Sequence, residues 1–266
     1  MALTIDKNSA CKSFSNAANT YDERAVMQHN VADKMLSQLE ELNIAPETIL
    51  DVGCGTGRAV EEITRRYPNA KIIASDFAQP MLDFTKDRLL KKDLAVPELL
   101  CEDMDQLTID DNSIDLIFTT SAIQWSADIN LLFKKFFRAL RPNGYIIFST
   151  FGPETMWQLR ESWSRVDGYK HIHHFTEVSG YETALLNGGF TEVTISNEEQ
   201  IVNYHTLKDL MKDLKKVGVV NANSERARGM LGKTAFTQLS NEYEIYRIDD
   251  CLPLSYDVIF GHARKP

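Results

Sequence analysis

The chain has 266 residues, 43% hydrophobic and 25% charged, the composition of a globular protein long enough to bury a large core. Its formal net charge of −9 argues against a general nucleic-acid binder, and no run reaches the roughly 20 apolar residues of a membrane-spanning helix. Cys11, Cys54, Cys101 and Cys251 form no Cys-x-x-Cys pair and no metal spacing with the histidines, and the polar Met1–Thr20 carries no apolar signal region. These features predict reduced thiols, no metal site and a cytoplasmic location. In chain order, residues 22–43 read as an amphipathic helix with Ala25, His29, Ala32, Met35, Leu36 and Leu39 along one side, His29 at the core edge. Strand patterns follow at Thr48–Val52, Lys71–Ser75, Leu99–Cys101, Ile114–Thr119 and Gly144–Phe151. Between them lie helical patterns: Ala59, Val60, Ile63 and Tyr67; a run from Pro80 to Lys91; and Leu131 to Leu140, stopped by Arg141-Pro142-Asn143-Gly144. Beyond Phe151 come a helix over 153–170, a strand over 191–204, helical pattern over 206–247 and a last strand over 255–263. The alternation predicts an α/β fold with a doubly wound, mostly parallel, seven-stranded sheet and ligands at the C-terminal strand ends.

Residues 49–57, Ile-Leu-Asp-Val-Gly-Cys-Gly-Thr-Gly, carry the most chemical information. An apolar strand ends at Asp51, and Gly53, Gly55 and Gly57 then permit a sharp turn with close backbone approach to a ligand. The helix that follows offers unpaired N–H groups. The dinucleotide fingerprint Gly-x-Gly-x-x-Gly would place its third glycine at 58, which is Arg58, and the Gly-Lys-Ser/Thr of a phosphate loop is absent. Asp76 ends the next strand 19 residues past Gly57, where a carboxylate accepts from ribose hydroxyls. It is equally placed to cap the helix that Pro80 starts. Asp51-Val-Gly-x-Gly-x-Gly resembles the first motif of the class I methyltransferases, Rossmann-like enzymes that bind S-adenosylmethionine and release S-adenosylhomocysteine.

That resemblance assigns Tyr21, Asp51, Gly53, Gly55, Gly57, Asp76, Phe77, Met81, Asp103, Met104 and Ser121 to the cofactor. Asp76-Phe77-Ala78-Gln79-Pro80-Met81-Leu82 is similar to the family's Asp-x-Ser-x-x-Met-Leu, with Met81 against the adenine and Ala78 in place of Ser. Asp103 is implied to accept from the adenine amino group, beside the Met104 backbone. Phe14 to Asp22 resembles the segment that folds over the cofactor, with Tyr21 closing the pocket. Further stretches resemble the malonyl-acyl-carrier-protein O-methyltransferases of biotin synthesis: Ala122-Ile123-Gln124-Trp125, Phe151 to Arg160, Leu214 to Gly218, Asn221, Arg226, Gly229, Gly232 and Leu252 to His262. Val219-Val220 depart from that family's pattern. The resemblance implies a malonyl thioester on acyl carrier protein or coenzyme A as acceptor, with no nucleic acid and no membrane as partner.

No general acid or base is assigned, because a carboxylate of pKa about 4 is already ionised near neutral pH. Alignment and desolvation are expected to supply the acceleration. Gln124, Trp125 and Tyr21 are candidates for the acyl end, and Arg160, just beyond the fifth strand, for gripping the carboxylate unless it is an ordinary surface residue. Residues 207–233 hold seven Lys or Arg against three acids. Lys208, Lys212, Lys215 and Lys216 share a helical face that, with Arg226 and Arg228, suits an acidic carrier or is simply solvated. One domain is expected over 1–266, with a helical cap at 1–45 and a lid-like helical insertion at 206–247. A small-acid or quinone-precursor methyltransferase and a non-catalytic S-adenosylmethionine-binding protein remain as alternatives.

Overall fold

The computed structural model describes residues 6–172, 174–218 and 232–266. Seven strands form one sheet in the order β3-β2-β1-β4-β5-β7-β6: β1 (Thr48–Val52), β2 (Lys71–Asp76), β3 (Glu98–Cys101), β4 (Ile114–Thr119), β5 (Leu140–Phe151), β6 (Thr191–Tyr204) and β7 (Leu252–Arg264). The first five are parallel, and β7 inserts antiparallel between β5 and β6. The helices are α1 (Lys7–Arg24), α2 (Val26–Glu41), α3 (Arg58–Arg66), α4 (Gln79–Leu90), α5 (Ile129–Ala139), α6 (Trp157–Ser164), α7 (Val178–Gly188), α8 (Leu207–Lys216) and α9 (Lys233–Tyr243).

The central strands bury both faces, so they read as continuous apolar runs. Their two-residue period divides the core. Ile49, Phe118, Ile147 and Val258 pack with residues of α2, α3, α6, α8 and α9, whereas Leu50, Ile117, Ile146, Phe148 and Ile259 pack with α5 and α7. Strand order reverses at β1, which pairs with β2 on one side and β4 on the other. The crevice beyond the C-terminal ends of β1 and β4 is therefore the natural ligand position.

The strands fall where their apolar runs predict, within a few residues at the ends. The helices outside the sheet differ more. The single helix expected over 22–43 is two, broken at Ala25 (φ −79°, ψ 41°). The first of them, α1, is capped by Asp6, whose carboxylate accepts from Ser9 N at 3.0 Å. Its buried contacts are only Ala10, Ala17 and Ala18, which leave no large apolar stripe to read. The helix expected over 153–170 shrinks to α6, entered through a left-handed Met156 (φ 57°), and α7 lies in a stretch where no element was expected. Strand pairing begins at Leu140, immediately after α5, rather than at Gly144.

Gly261 in β7 pairs with Phe148 of β5, and a Cβ at Gly261 would stand 2.3 Å from the Phe148 ring. Phe148 cannot swing aside, because Phe133 and Tyr181 hold it. Gly261→Ala is expected to lower stability by ~1–3 kcal/mol in urea unfolding, the cost of overpacking. An unchanged midpoint would show that this strand crossing has slack.

Candidate active site

The turn after β1 is held from below by β2: Gly53 N and Cys54 N both donate to Ser75 O, at 2.8 and 3.0 Å. Gly53 (φ 72°) and Gly57 (φ 81°) adopt the left-handed backbone, and neither has room for a side chain. A Cβ on Gly53 would lie 2.4 Å from Ala122 Cβ, and one on Gly57 2.7 Å from the Thr85 side chain. At Gly55, by contrast, a Cβ would meet nothing within 4 Å, so this glycine leaves the floor of the crevice bare.

Asp76 ties the turn to the next helix. One carboxylate oxygen accepts from Gly55 N at 3.0 Å and the other from Ala78 N at 2.9 Å. Burial pushes its carboxyl up to about 6 against the opposing pull of those two N–H groups. Asp51 lies deeper. Neither of its oxygens has a hydrogen-bond partner, and burial, with the nearby Asp76 charge, pushes it up to about 8. Asp51 is thus largely a neutral acid at pH 7 when nothing cationic is beside it.

Gly53, Gly55, Asp76, Phe77, Met81, Asp103, Met104 and Ser121, all expected from the sequence, line one cleft, and Tyr21 and Trp125 form its lip. Asp51 and Gly57 stand outside the lining set, where they shape the turn. Lys7 belongs to the cleft, and the sequence reading had no role for it; a lone lysine near the N-terminus carries no signal. Its ammonium donates to both oxygens of Asp103, at 2.6 and 2.7 Å, and to Asp105 at 2.5 Å. The Asp103 carboxylate therefore already holds a cation at its end of the cleft. Burial raises the Asp105 carboxyl, but hydrogen bonds from Lys7, Ser126 and Ala127 outweigh it and hold the group below its usual value.

The C-terminal end of α1 is fastened to the glycine turn. Asp22 accepts from Thr56 Oγ1 at 2.5 Å and pairs with Arg88, whose Nε donates to Thr56 O at 2.8 Å. This fixes Tyr21, the neighbour of Asp22, at the lip. His29 sits near Asp22 at 3.9 Å; its Nε2 is buried without a hydrogen bond, and burial lowers its pKa.

Behind the lip lies a second cavity of about 440 Å³, adjoining the cleft and sharing Phe14, Tyr21, Ser121 and Trp125 with it as walls. The Phe14 ring packs edge-on to Trp125 (5.5 Å) and tilted to Phe77 (5.8 Å). Ser121 carries a left-handed backbone (φ 50°), its N–H donates to Ser149 O at 3.0 Å, and its buried Oγ has no partner. Gln124 is fixed at both ends of its amide: Nε2 donates to Ser121 O at 2.7 Å and Oε1 accepts from Thr150 Oγ1 at 3.2 Å. The far walls are Met156, Leu159 and Trp163 on one side, Met211, Leu214 and Lys215 on the other. His171 stacks on Trp163 (3.6 Å, 9°) and pairs with Asp167 at 2.8 Å. Among the described residues, no Asp or Glu lines this cavity.

Arg160 is not in it. Its guanidinium folds back on the turn before α6, donating to Pro153 O at 2.8 Å and Thr155 O at 3.3 Å with Glu154 at 3.7 Å, and it borders a neighbouring hollow that shares Trp163, His171, Ile172 and Phe175 with this cavity. The sequence placed Arg160 just after the fifth strand, but these carbonyls decide where its charge goes. On α8, Lys208 and Lys212 are exposed, Lys215 reaches the cavity rim, and Lys216 is half-buried with its carbonyl accepting from Thr20 Oγ1 at 3.1 Å. Arg226 and Arg228 lie outside the described residues.

A bare left-handed turn at Gly55, the acid at the end of β2 and a buried unpartnered acid behind them suit a ligand that presents ribose hydroxyls and a cationic group. Residues 50–148 match the model of a methyltransferase domain, and the solved structure of YcgJ from Bacillus subtilis has the same fold, with a TM-score of 0.64 at 14% identity over 89% of this chain and 98% of that one. The Haemonchus contortus phosphoethanolamine N-methyltransferase 2, solved with S-adenosylmethionine, aligns with a TM-score of 0.57 at 19% identity over 88% of this chain and 52% of that one. The class is thereby defined: an S-adenosylmethionine-dependent methyltransferase on a class I, Rossmann-like sheet.

The full-length relatives narrow it. The malonyl-acyl-carrier-protein O-methyltransferase of Laribacter hongkongensis is 34% identical over 271 residues, covering 100% of this chain and 91% of that protein. The biotin biosynthesis bifunctional protein BioHC of Teredinibacter turnerae is 32% identical over 274 residues, covering 99% of this chain and 48% of that protein. The chain belongs to the malonyl-acyl-carrier-protein O-methyltransferase family.

The unpartnered acids set a pH dependence. The folded protein keeps the Asp51 proton up to about 8, whereas in the unfolded chain that carboxyl ionises near 3.8. The folded state binds more protons across that window, so stability falls as pH rises through it. Asp51→Asn is expected to flatten the fall and to unfold at higher temperature than the parent in ligand-free protein at pH about 7.5. A variant with the parent's pH slope would show that Asp51 is ionised in the fold.

Proposed function

We propose that this chain methylates the free carboxylate of a malonyl thioester carried on acyl carrier protein, giving the methyl ester used in biotin synthesis, in the cytoplasm. The observation that carries this reading is the pair of adjoining cavities. One is built around the glycine turn and Asp76, and the other is apolar, free of carboxylates among the described residues, and reached past Tyr21, Ser121 and Trp125. The family of the chain supports the choice of acceptor.

When bound, S-adenosylmethionine supplies an electrophilic methyl group. Asp51, Gly53, Gly55, Gly57, Asp76, Phe77, Met81, Asp103, Met104, Tyr21 and Ser121 are the residues proposed to hold it. Asp76 supplies negative charge at the cleft, Asp51 adds to it only when a cation lies beside it, and Asp103 is already paired with Lys7. Tyr21, Gln124 and Trp125 are proposed to wall the acyl end, with the Gln124 amide locked by Ser121 and Thr150 so that it presents one fixed face. No side chain is asked to move a proton, because the acceptor carboxylate arrives ionised. The work of the chain is orientation and exclusion of water, which the Phe14–Trp125 lip and the apolar far walls are built to do.

Helices α1 and α2 are read as a cap within residues 1–45, and α8 and α9 as an insertion within 206–247, which together frame the acceptor cavity of a single domain. The exposed Lys208 and Lys212 of α8 are read as the landing face for the acidic carrier, with Lys216 at its inner edge, whereas Lys215 lines the cavity.

Full-length protein incubated with S-adenosylmethionine and malonyl-acyl carrier protein is expected to yield the methyl ester by mass spectrometry, far faster than from free malonate. Equal turnover of the two acceptors, or no ester, would reject the reading. Charge reversal at Lys208 and Lys212 is expected to cut kcat/KM for malonyl-acyl carrier protein several-fold at low salt and less at high salt, with malonyl-coenzyme A unaffected. A salt-independent loss on both acceptors would place the carrier elsewhere.

A further inference from the structure

We infer that Lys215 is the cation that recognises the acceptor's free carboxylate, and so selects a dicarboxylic acyl thioester over a monocarboxylic one. The inference rests on the acceptor reading above and assigns the charge that reading leaves open. A carboxylate entering an apolar cavity needs a fixed cation or pays its full desolvation cost. Lys215 borders the cavity, whereas Lys208 and Lys212 of the same helix do not.

The other cations of the neighbourhood are engaged. Arg160 is spent on Pro153 O, Thr155 O and Glu154; Arg24 pairs with Asp213 at 3.4 Å; Lys7 is held by Asp103 and Asp105; and His171 faces Asp167. Among the described residues Lys215 makes no ion pair or side-chain hydrogen bond, and no acid lines the cavity to neutralise it. Its position is defined from both sides. Leu214 beside it is buried in the core, and the next residue, Lys216, accepts from Thr20 on α1, one residue before Tyr21. The backbone of Lys215 is thereby held beside α1, and its exposed side chain lines the cavity. There it can hold one carboxylate oxygen while the other faces the donor. A single flexible ammonium holds one oxygen as a point charge, without the two-bonded grip a guanidinium would impose on both.

The test is Lys215→Met, with Lys215→Arg beside it, in the full-length protein. Malonyl-acyl carrier protein is the substrate. Acetyl-acyl carrier protein, which lacks the second carboxylate, is the competitive inhibitor. The expected result for Lys215→Met is a KM for malonyl-acyl carrier protein raised about 10- to 100-fold, the worth of one charge-assisted hydrogen bond. S-adenosylhomocysteine affinity and the inhibition constant of acetyl-acyl carrier protein stay at parental values, and Lys215→Arg recovers much of the loss. A malonyl KM that does not move, or malonyl and acetyl constants that rise in parallel, would overturn the assignment, the second result making Lys215 a carrier-docking residue. Absence of methyl ester from the parent protein would overturn the acceptor reading itself, and the lysine's role with it.

Discussion

Everything at this site depends on three glycines turning the chain where β1 ends. The turn is possible only because Gly53 and Gly57 lack a Cβ in the left-handed region and abut Ala122 and Thr85. It is kept in place by Ser75 O from below and by the Asp76 carboxylate from the side. Asp76 does two jobs with one group: it satisfies Gly55 N and starts α4 through Ala78 N. Burial disfavours a carboxylate there and raises both Asp76 and Asp51. Hydroxyl donors or positive charge beside them favour the ionised forms, so the turn suits a ligand that brings either.

The second dependence runs from the turn to α1. Asp22 joins the end of α1 to Thr56 and Arg88, and Lys7 joins its start to Asp103 and Asp105. These two clasps lie 15 residues apart on one helix and straddle the cleft. Between them sit Phe14 and Tyr21, two of the four residues that belong to both cavities. The walls that the two cavities share on this side are thus properties of one helix held at two points. Its fastenings at the two ends are polar, and between them Ala10, Ala17 and Ala18 are buried while Cys11, Phe14 and Tyr21 pack over Ala78, Met81 and Phe77.

The central strands β1, β2 and β4 were legible because each is a short apolar run ending at Gly, Asp or Thr, and because a strand buried on both faces has few alternatives. The residues of the cleft were legible for a related reason: their positions follow from strand ends and from glycine spacing. Helix α1 was not, since Ala10, Ala17 and Ala18 mark a close-packed interface without marking a hydrophobic one. Lys7 was invisible because its meaning depends on Asp103, 96 residues away. Arg160 was misjudged for the converse reason. Sequence locates its Cα just beyond β5, but the guanidinium follows the carbonyls of Pro153 and Thr155 out of the cavity. Charge on α8 was read as one surface, whereas the helix divides it, sending Lys215 to the cavity rim and leaving Lys208 and Lys212 in solvent.

The central claim is that donor and acceptor occupy two chambers that meet at Tyr21, Ser121 and Trp125. A crystal structure of the full chain with S-adenosylhomocysteine and a malonyl-pantetheine thioester tests it most directly. The account predicts the homocysteine sulfur in the cleft of Gly53 and Asp76, facing a malonyl carboxylate in the chamber of Gln124, Leu159 and Lys215. A malonyl group bound instead in the hollow beside Arg160, or on the far side of the sheet, would contradict it.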